Sequence, residues 1–237
     1  MLSSNKRQRA TANLRMLEFV ARKLGTLNKE VIYLGGCSTA LFITDTLSLD
    51  VRPTKDVDCI VDIVSLAKYY QFGKKLEKQG FKQSIDEQVI CRWHYDDVIL
   101  DVMPTDESIL KFGNRWYKEA IETPITHQLA EDLVITSVTA CYLLATKIEA
   151  FHGRGNKDFL GSHDFEDIVT VVAGRVEIAD EVAQQKIELK QYIKNFFNDI
   201  IGNTEFITAL PGHLSDGPIT MQRVQTVIDR IKKIISS

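Results

Sequence analysis

The sequence predicts an α+β protein, a mixed β-sheet with flanking helices followed by a C-terminal helical domain. Three observations carry that expectation. Short runs rich in β-branched residues, 56–63 (DVDCIVDI) and 98–103 (VILDVM), fall in the first half of the chain. Segments with apolar residues at helical spacing precede and separate them. Beyond Pro124 the periodicity is helical, with few strand signals between the segments.

Taken in order, Leu14, Leu17, Phe19, Val20 and Leu24 recur at roughly helical spacing over residues 7–24, and Gly25 follows as a C-cap. Residues 30–34 form a short apolar run ending at Gly35-Gly36, and a helix is expected over 38–47, giving strand, tight turn, helix. Residues 56–63 read as a strand and 66–80 as an amphipathic helix stopped by Gly80. Residues 89–95 and 98–103 make a hairpin that turns at Asp96-Asp97. Helices are expected over 135–151, 165–172, 177–200 and 221–235, with 202–217 as the loop-like stretch. The division that follows is a strand-containing domain at 1–130, with its N-terminal helix, and a helical domain at 131–237.

Composition narrows the class. The chain has 237 residues, 44% hydrophobic and 26% charged, with a formal net charge of -3. A histone-like, wholly electrostatic nucleic-acid binder is excluded, because phosphate neutralisation needs clustered Lys and Arg; a local basic patch is not. Cys37, Cys59, Cys91 and Cys141 are scattered through apolar segments with no CxxC and no paired His at zinc spacing, so they read as reduced core thiols. The first residues carry no apolar leader-like segment, and no run approaches about 18 apolar residues. A cytoplasmic protein with no membrane partner is expected.

The chemistry starts with Asp56 and Asp58. Residues two apart on a strand share a face, so these carboxylates project side by side while Val57, Cys59 and Val61 pack on the other face. Burying them unpaired costs several kcal/mol or forces protonation. A divalent cation resolves the conflict: Mg²⁺, or Mn²⁺, takes oxygen ligands and keeps room for substrate phosphates. The third carboxylate is Asp101, the only acidic residue inside the second hairpin strand, and the expected metal ligands are therefore Asp56, Asp58 and Asp101. Asp62 reads as a strand terminator.

Two further groups suit phosphates. Gly35 and Gly36, between strand and helix, let backbone N–H groups approach an anion, and Ser38 or Thr39 adds a hydroxyl. Lys147 interrupts the apolar run YLLATKIEAF, and Arg154 lies seven residues on, so both cations emerge on one helix face two turns apart, where they could bracket a triphosphate. Asp164 stands where a helix cap is expected.

These residues together resemble a known family. GG, then STAL, then R-x-T-K-D-V-D, then a later strand with a single Asp, looks like the nucleotidyltransferase superfamily that shares the DNA polymerase beta catalytic fold. Within it the pattern is closest to the AbiEii-type nucleotidyltransferases, toxin components of type IV toxin–antitoxin and phage-abortive systems. The block Lys147-x-x-Ala150-x-x-x-Arg154, followed by Ser162-His163-Asp164-Phe165-Glu166-Asp167, resembles that family's K-x-x-A-x-x-x-R and K-D-x-x-D motifs. By that match Lys147 contacts nucleotide phosphates and Asp164 is needed for activity. The chain departs from the pattern in a longer segment between Gly36 and Asp56, in His163 where the family has lysine, and in the insert GRGNKDFLGS.

The resemblance implies a nucleotidyltransferase-like sheet and transfer of a nucleoside monophosphate from an NTP to an acceptor hydroxyl. The catalytic carboxylates would be Asp56, Asp58, Asp101 and Asp164; the nucleotide-binding residues would be Gly35, Gly36, Ser38, Lys147 and Arg154. For a toxin-like enzyme the acceptor is RNA such as tRNA, and an antitoxin protein is a further partner. Phosphate contacts could come from Lys6, Arg7, Arg9 and Arg15 or from Arg230, Lys232 and Lys233. The same chemistry on a protein or on a small molecule such as an aminoglycoside, and a non-catalytic nucleotide- or partner-binding module, are the alternatives.

Overall fold

The structure, a computed structural model, describes residues 2–45, 51–83, 89–214 and 220–237, with side chains from residue 10 onward. Its contacts separate two units. One joins Thr11–Leu41 and Pro53–Thr139; the other joins Met1–Ala10, Phe42–Arg52 and Ala140–Ser237.

The first unit is built on a sheet. After α1 (Leu2–Leu24) the chain forms β1 (Ile32–Leu34), α2 (Gly35–Ser38), β2 (Asp56–Val61), α3 (Leu66–Lys78), β3 (Arg92–Tyr95), β4 (Val98–Pro104), α4 (Tyr117–Ala120), β5 (Ile125–Ala130) and β6 (Leu133–Ser137). The six strands lie in the order β3-β4-β2-β1-β6-β5. β2 runs parallel to β4 and β1 parallel to β6; the pairs β1/β2, β3/β4 and β5/β6 are antiparallel. A parallel pair needs a crossover, and α3, capped by the Ser65 side chain, lies within the one between β2 and β4.

Alternation along the strands decides what faces where. Val57, Cys59 and Val61 of β2 and Leu100 and Val102 of β4 share one core with Leu17, Val20 and Leu24 of α1 and Tyr69, Phe72 and Leu76 of α3. Each fully buried Leu or Phe of this kind contributes about 1.5–3 kcal/mol. Asp56, Asp58 and Asp101 have the opposite parity and so belong to the other face. Polar contacts tie the layers: Tyr69 Oη donates to the Val102 carbonyl at 2.7 Å, and Tyr33 Oη to Asn28 Oδ1 at 2.9 Å. Gly25, at φ +56°, ends α1 as expected of a left-handed cap.

The second unit is helical: α5 (Ala140–Arg154), α6 (His163–Gly174), α7 (Ile178–Ala183), α8 (Ile187–Ile200), α9 (Thr204–His213) and α10 (Thr220–Ser236). Its core is aromatic where α5, α6 and α9 converge. Phe165 has its ring centroid 5.2 Å from Phe151, 5.0 Å from Phe159 and 5.9 Å from Phe206.

Four elements differ from expectation. The helix expected over 135–151 starts at Ala140, and residues 125–137 are the β5–β6 hairpin. The β-branched run Val134-Ile135-Thr136 favours a strand, and only the short segment Ser137-Val138-Thr139 separates it from the apolar start of α5. The helix expected over 38–47 begins at the glycines themselves, as α2, and tightens to a 3₁₀ turn at Thr39–Phe42; its remainder at 46–47 lies outside the described residues. The segment 177–200 is two helices, α7 and α8. The loop expected over 202–217 contains α9, whose cap Asn203 accepts from the Glu205 and Phe206 backbone N–H groups; 215–217 lie outside the described residues.

All four cysteines are buried thiols outside any disulfide. Burial pushes the Cys91 and Cys141 thiols up to about 12, so they stay protonated and inert at neutral pH. Among the described residues no helix is long and apolar enough to cross a membrane.

Candidate active site

The sheet assembles the three aspartates from its central parallel pair. The β2–β4 register sets Asp58 opposite Asp101, with Asp56 opposite Ile99. One carboxylate oxygen from each of Asp56, Asp58 and Asp101 lies within 4.8 Å of the others. Two like unit charges about 5 Å apart repel by roughly 3 kcal/mol at an effective dielectric of about 20, so the arrangement is unfavourable without a cation. Asp56 and Asp58 are half-buried and Asp101 is 8% exposed. The start of β2 is held locally. Asn13 of α1 accepts from the Thr54 backbone N–H through its side chain and from Cys37 Sγ through its carbonyl.

A cation from the neighbouring strand touches Asp101. Arg92 donates to Asp101 through Nε at 2.9 Å and Nη2 at 2.8 Å, a two-pronged pair between residues that face each other in the β3–β4 register.

The glycine turn lies against the same carboxylates. Gly35 has φ +79°, and a Cβ there would sit 1.9 Å from Asp58 Oδ2. Glycine is required both for the backbone angle and for the room. Ser38 is fully buried and its hydroxyl donates to the Leu34 carbonyl at 2.8 Å, so that proton is already used within the turn. Thr39 Oγ1 is buried with no hydrogen-bond partner among the described residues.

In the helical unit, Lys147 and Arg154 converge on Asp164. Lys147 Nζ lies 3.1 Å from Asp164 Oδ1 and 2.6 Å from Asp167 Oδ2. Arg154 donates to both Asp164 oxygens, at 2.7 and 2.9 Å. Arg52 grips Asp167 in the same forked way, at 2.9 and 3.1 Å. Burial would push the Asp164 carboxyl up, but Arg154 and Lys147 outweigh it and hold it at about 2. Lys147 is buried while the Arg154 side chain is 73% exposed. The helix cap is Ser162, whose hydroxyl accepts from the Phe165 N–H; Asp164 sits two residues into α6 and is engaged in the ion pairs instead.

Two of the other cations named in the sequence are used internally. Arg230 donates to the Val172 and Ala173 carbonyls at the end of α6, and Lys233 pairs with Asp180. Lys6, Arg7 and Arg9 have no described side chains.

No family model and no curated protein matches the sequence. Among solved structures, the chain is similar to the crystal structure of an antigenic nucleotidyltransferase-like protein from Paracoccidioides brasiliensis. The TM-score is 0.51 over 84% of this chain and 93% of that one, at 19% identity. The fold is nucleotidyltransferase-like. At 19% identity the likeness speaks for fold alone.

Three residues of these clusters went without a role in the sequence reading. Arg92 could have been found by counting back from the two-residue turn: 95 faces 98, so 92 faces 101. Arg52 is the first residue of the R-x-T-K-D-V-D motif. Asp167 lies three residues after Asp164 and so on the same helix face.

Proposed function

We propose that this protein is a metal-dependent nucleotidyltransferase, moving a nucleoside monophosphate from an NTP to an acceptor hydroxyl with pyrophosphate leaving. The acceptor is RNA, and tRNA in a toxin–antitoxin or phage-defence setting, where an antitoxin protein is the further partner. The observation that carries the reading is the convergence of Asp56, Asp58 and Asp101 within 4.8 Å on a nucleotidyltransferase-like sheet. That donor set, all carboxylate oxygen, fits a hard divalent cation.

When bound, Mg²⁺ or Mn²⁺ supplies charge neutralisation for the triphosphate and a lower pKa for the acceptor hydroxyl. Asp56 and Asp58 would hold it, with Asp101 completing the oxygen set and accepting the hydroxyl proton. The backbone at Gly35, Gly36 and Ser38 cradles the β- and γ-phosphates. Lys147 and Arg154 answer the negative charge of the leaving pyrophosphate, and Asp164 holds both cations in place. Catalysis is assigned to residues 1–130 and these cations to the helical part, 131–237.

Charge favours a polyanionic acceptor over a small molecule. Residues 65–82 contain five lysines and one glutamate in a chain of net charge -3. Lys68, Lys74 and Lys78 of α3 are exposed. Because α3 packs on the face away from the aspartates, these lysines suit the backbone of an extended RNA rather than its reacting end.

The test is incubation of the protein with each α-labelled NTP, Mg²⁺ and total cellular RNA or protein. Label in RNA is expected. Label in protein instead moves the acceptor, and no label with any NTP overturns the reading.

A further inference from the structure

We infer that Arg92 is a positioning residue for Asp101, fixing the third carboxylate in the orientation in which it serves as a metal ligand. The inference rests on the metal-site reading above but concerns a residue that belongs to neither the glycine turn nor the aspartate motifs.

Asp101 has the most to gain from being held. It is one of three carboxylates whose ligand atoms crowd within 4.8 Å, so without a restraint its side chain would rotate to increase its distance from Asp56 and Asp58. Arg92 opposes that rotation. Its guanidinium is planar, and its Nε and Nη2 bonds engage both Asp101 oxygens, at 2.9 and 2.8 Å. Two parallel bonds fix the plane of the carboxylate, whereas one bond would leave it free to turn. The fork also leaves coordination capacity: each carboxylate oxygen has two lone-pair directions, and the pair with Arg92 uses one on each.

The backbone prepares this contact. Arg92 and Asp101 are facing residues in the antiparallel β3–β4 ladder, and Asp101 faces Asp58 in the parallel β2–β4 ladder. Arg92, Asp101 and Asp58 thus stand in one row across three hydrogen-bonded strands. A residue that orients a ligand from behind is a recurrent feature of metal sites, and its loss weakens binding even though it never touches the ion.

A simpler role would be charge balance alone, and the two roles give opposite signs. If Arg92 only offsets surplus negative charge, removing it makes the site more attractive to a cation. If it positions Asp101, removing it weakens binding. Replacement by lysine separates them further, because lysine keeps the charge and loses the planar fork.

The experiment is Mn²⁺ titration of the full chain, by calorimetry or by the paramagnetic resonance of free Mn²⁺, with no nucleotide and no turnover required. Arg92→Lys is expected to weaken Mn²⁺ binding by about 10–100-fold, and Arg92→Ala at least as much. In an Asp101→Asn background Arg92→Lys should weaken it no further, since the effect runs through Asp101. Circular dichroism melts check that Arg92→Lys is folded. Wild-type affinity in Arg92→Lys, tighter binding in Arg92→Ala, or an equal loss in the Asp101→Asn background each overturns the role of Arg92 and leaves the metal site standing. Failure of the wild-type chain to bind Mn²⁺ removes the metal site, and the Arg92 role with it.

Discussion

On the sheet, three carboxylates gather around one guanidinium: Asp56, Asp58 and Asp101 with Arg92. On the helices, two carboxylates gather among three cations: Asp164 and Asp167 with Arg52, Lys147 and Arg154. Among these named side chains the first group is left with two negative charges in surplus and the second with one positive. The helical group satisfies its own acids, as the hold on Asp164 at about 2 reflects, and so contributes to stability while keeping positive charge in surplus for an anion. The sheet group concentrates like charge, which a bound cation would relieve. The same residue type thus does opposite things, and the number of cations nearby decides which.

That contrast can be broken most sharply at Asp58. Asp58→Ala is expected to abolish nucleotidyl transfer while leaving the thermal midpoint equal to wild type or higher, because a repelling charge is gone; retained turnover of labelled NTP sinks the assignment. On the helices the loss should be in stability. Asp167→Ala deprives Arg52 of its forked carboxylate and Lys147 of one partner, and urea unfolding should show a loss of about 3–5 kcal/mol. A loss below about 1 kcal/mol would mean the helical group is a surface-like pair of little weight.

Gly35→Ala sharpens the comparison from the sheet side. A methyl group placed 1.9 Å from Asp58 Oδ2, on backbone at φ +79°, forces the carboxylate or the turn to move. A cost of about 1–3 kcal/mol in stability is expected, together with weaker Mn²⁺ binding.

The smallest effect is in pH. Asp164 titrates lower in the folded chain than in the unfolded one, so its contribution is full above about pH 4 and is lost as pH falls toward 2. The stability difference between wild type and Asp164→Asn should therefore shrink by about 2 kcal/mol between pH 6 and pH 2, measured by chemical unfolding. A constant difference across that range would remove the ion-pair account.

How much of this was legible in the sequence follows from the range of each interaction. Alternation on β2 gave the face of Asp56 and Asp58, and a lone acid in an apolar strand gave Asp101, because strand parity is local. The seven-residue spacing gave the shared helix face of Lys147 and Arg154 in the same way. Arg52 meeting Asp167 joins residues 115 apart, and no periodicity encodes such a meeting. Arg92 is within reach of counting, because the two-residue turn fixes the β3–β4 register. The β5–β6 hairpin was lost for a different reason, since its β-branched end is separated from the apolar helix α5 by only two residues, Val138 and Thr139, with no Gly or Pro to mark the boundary.

The turn between β3 and β4 is only Asp96 and Asp97, with Asp96 at φ +50°. Its length fixes which β3 residue meets Asp101. One added residue there would leave the β2–β4 ladder and all three aspartates undisturbed, yet slide β3 by a single position and send Arg92 to the opposite side of the sheet. Surface turns usually accept insertions freely. This one works as a spacer gauge, so that a change in loop length, with no ligand altered, would retune the charge of the site.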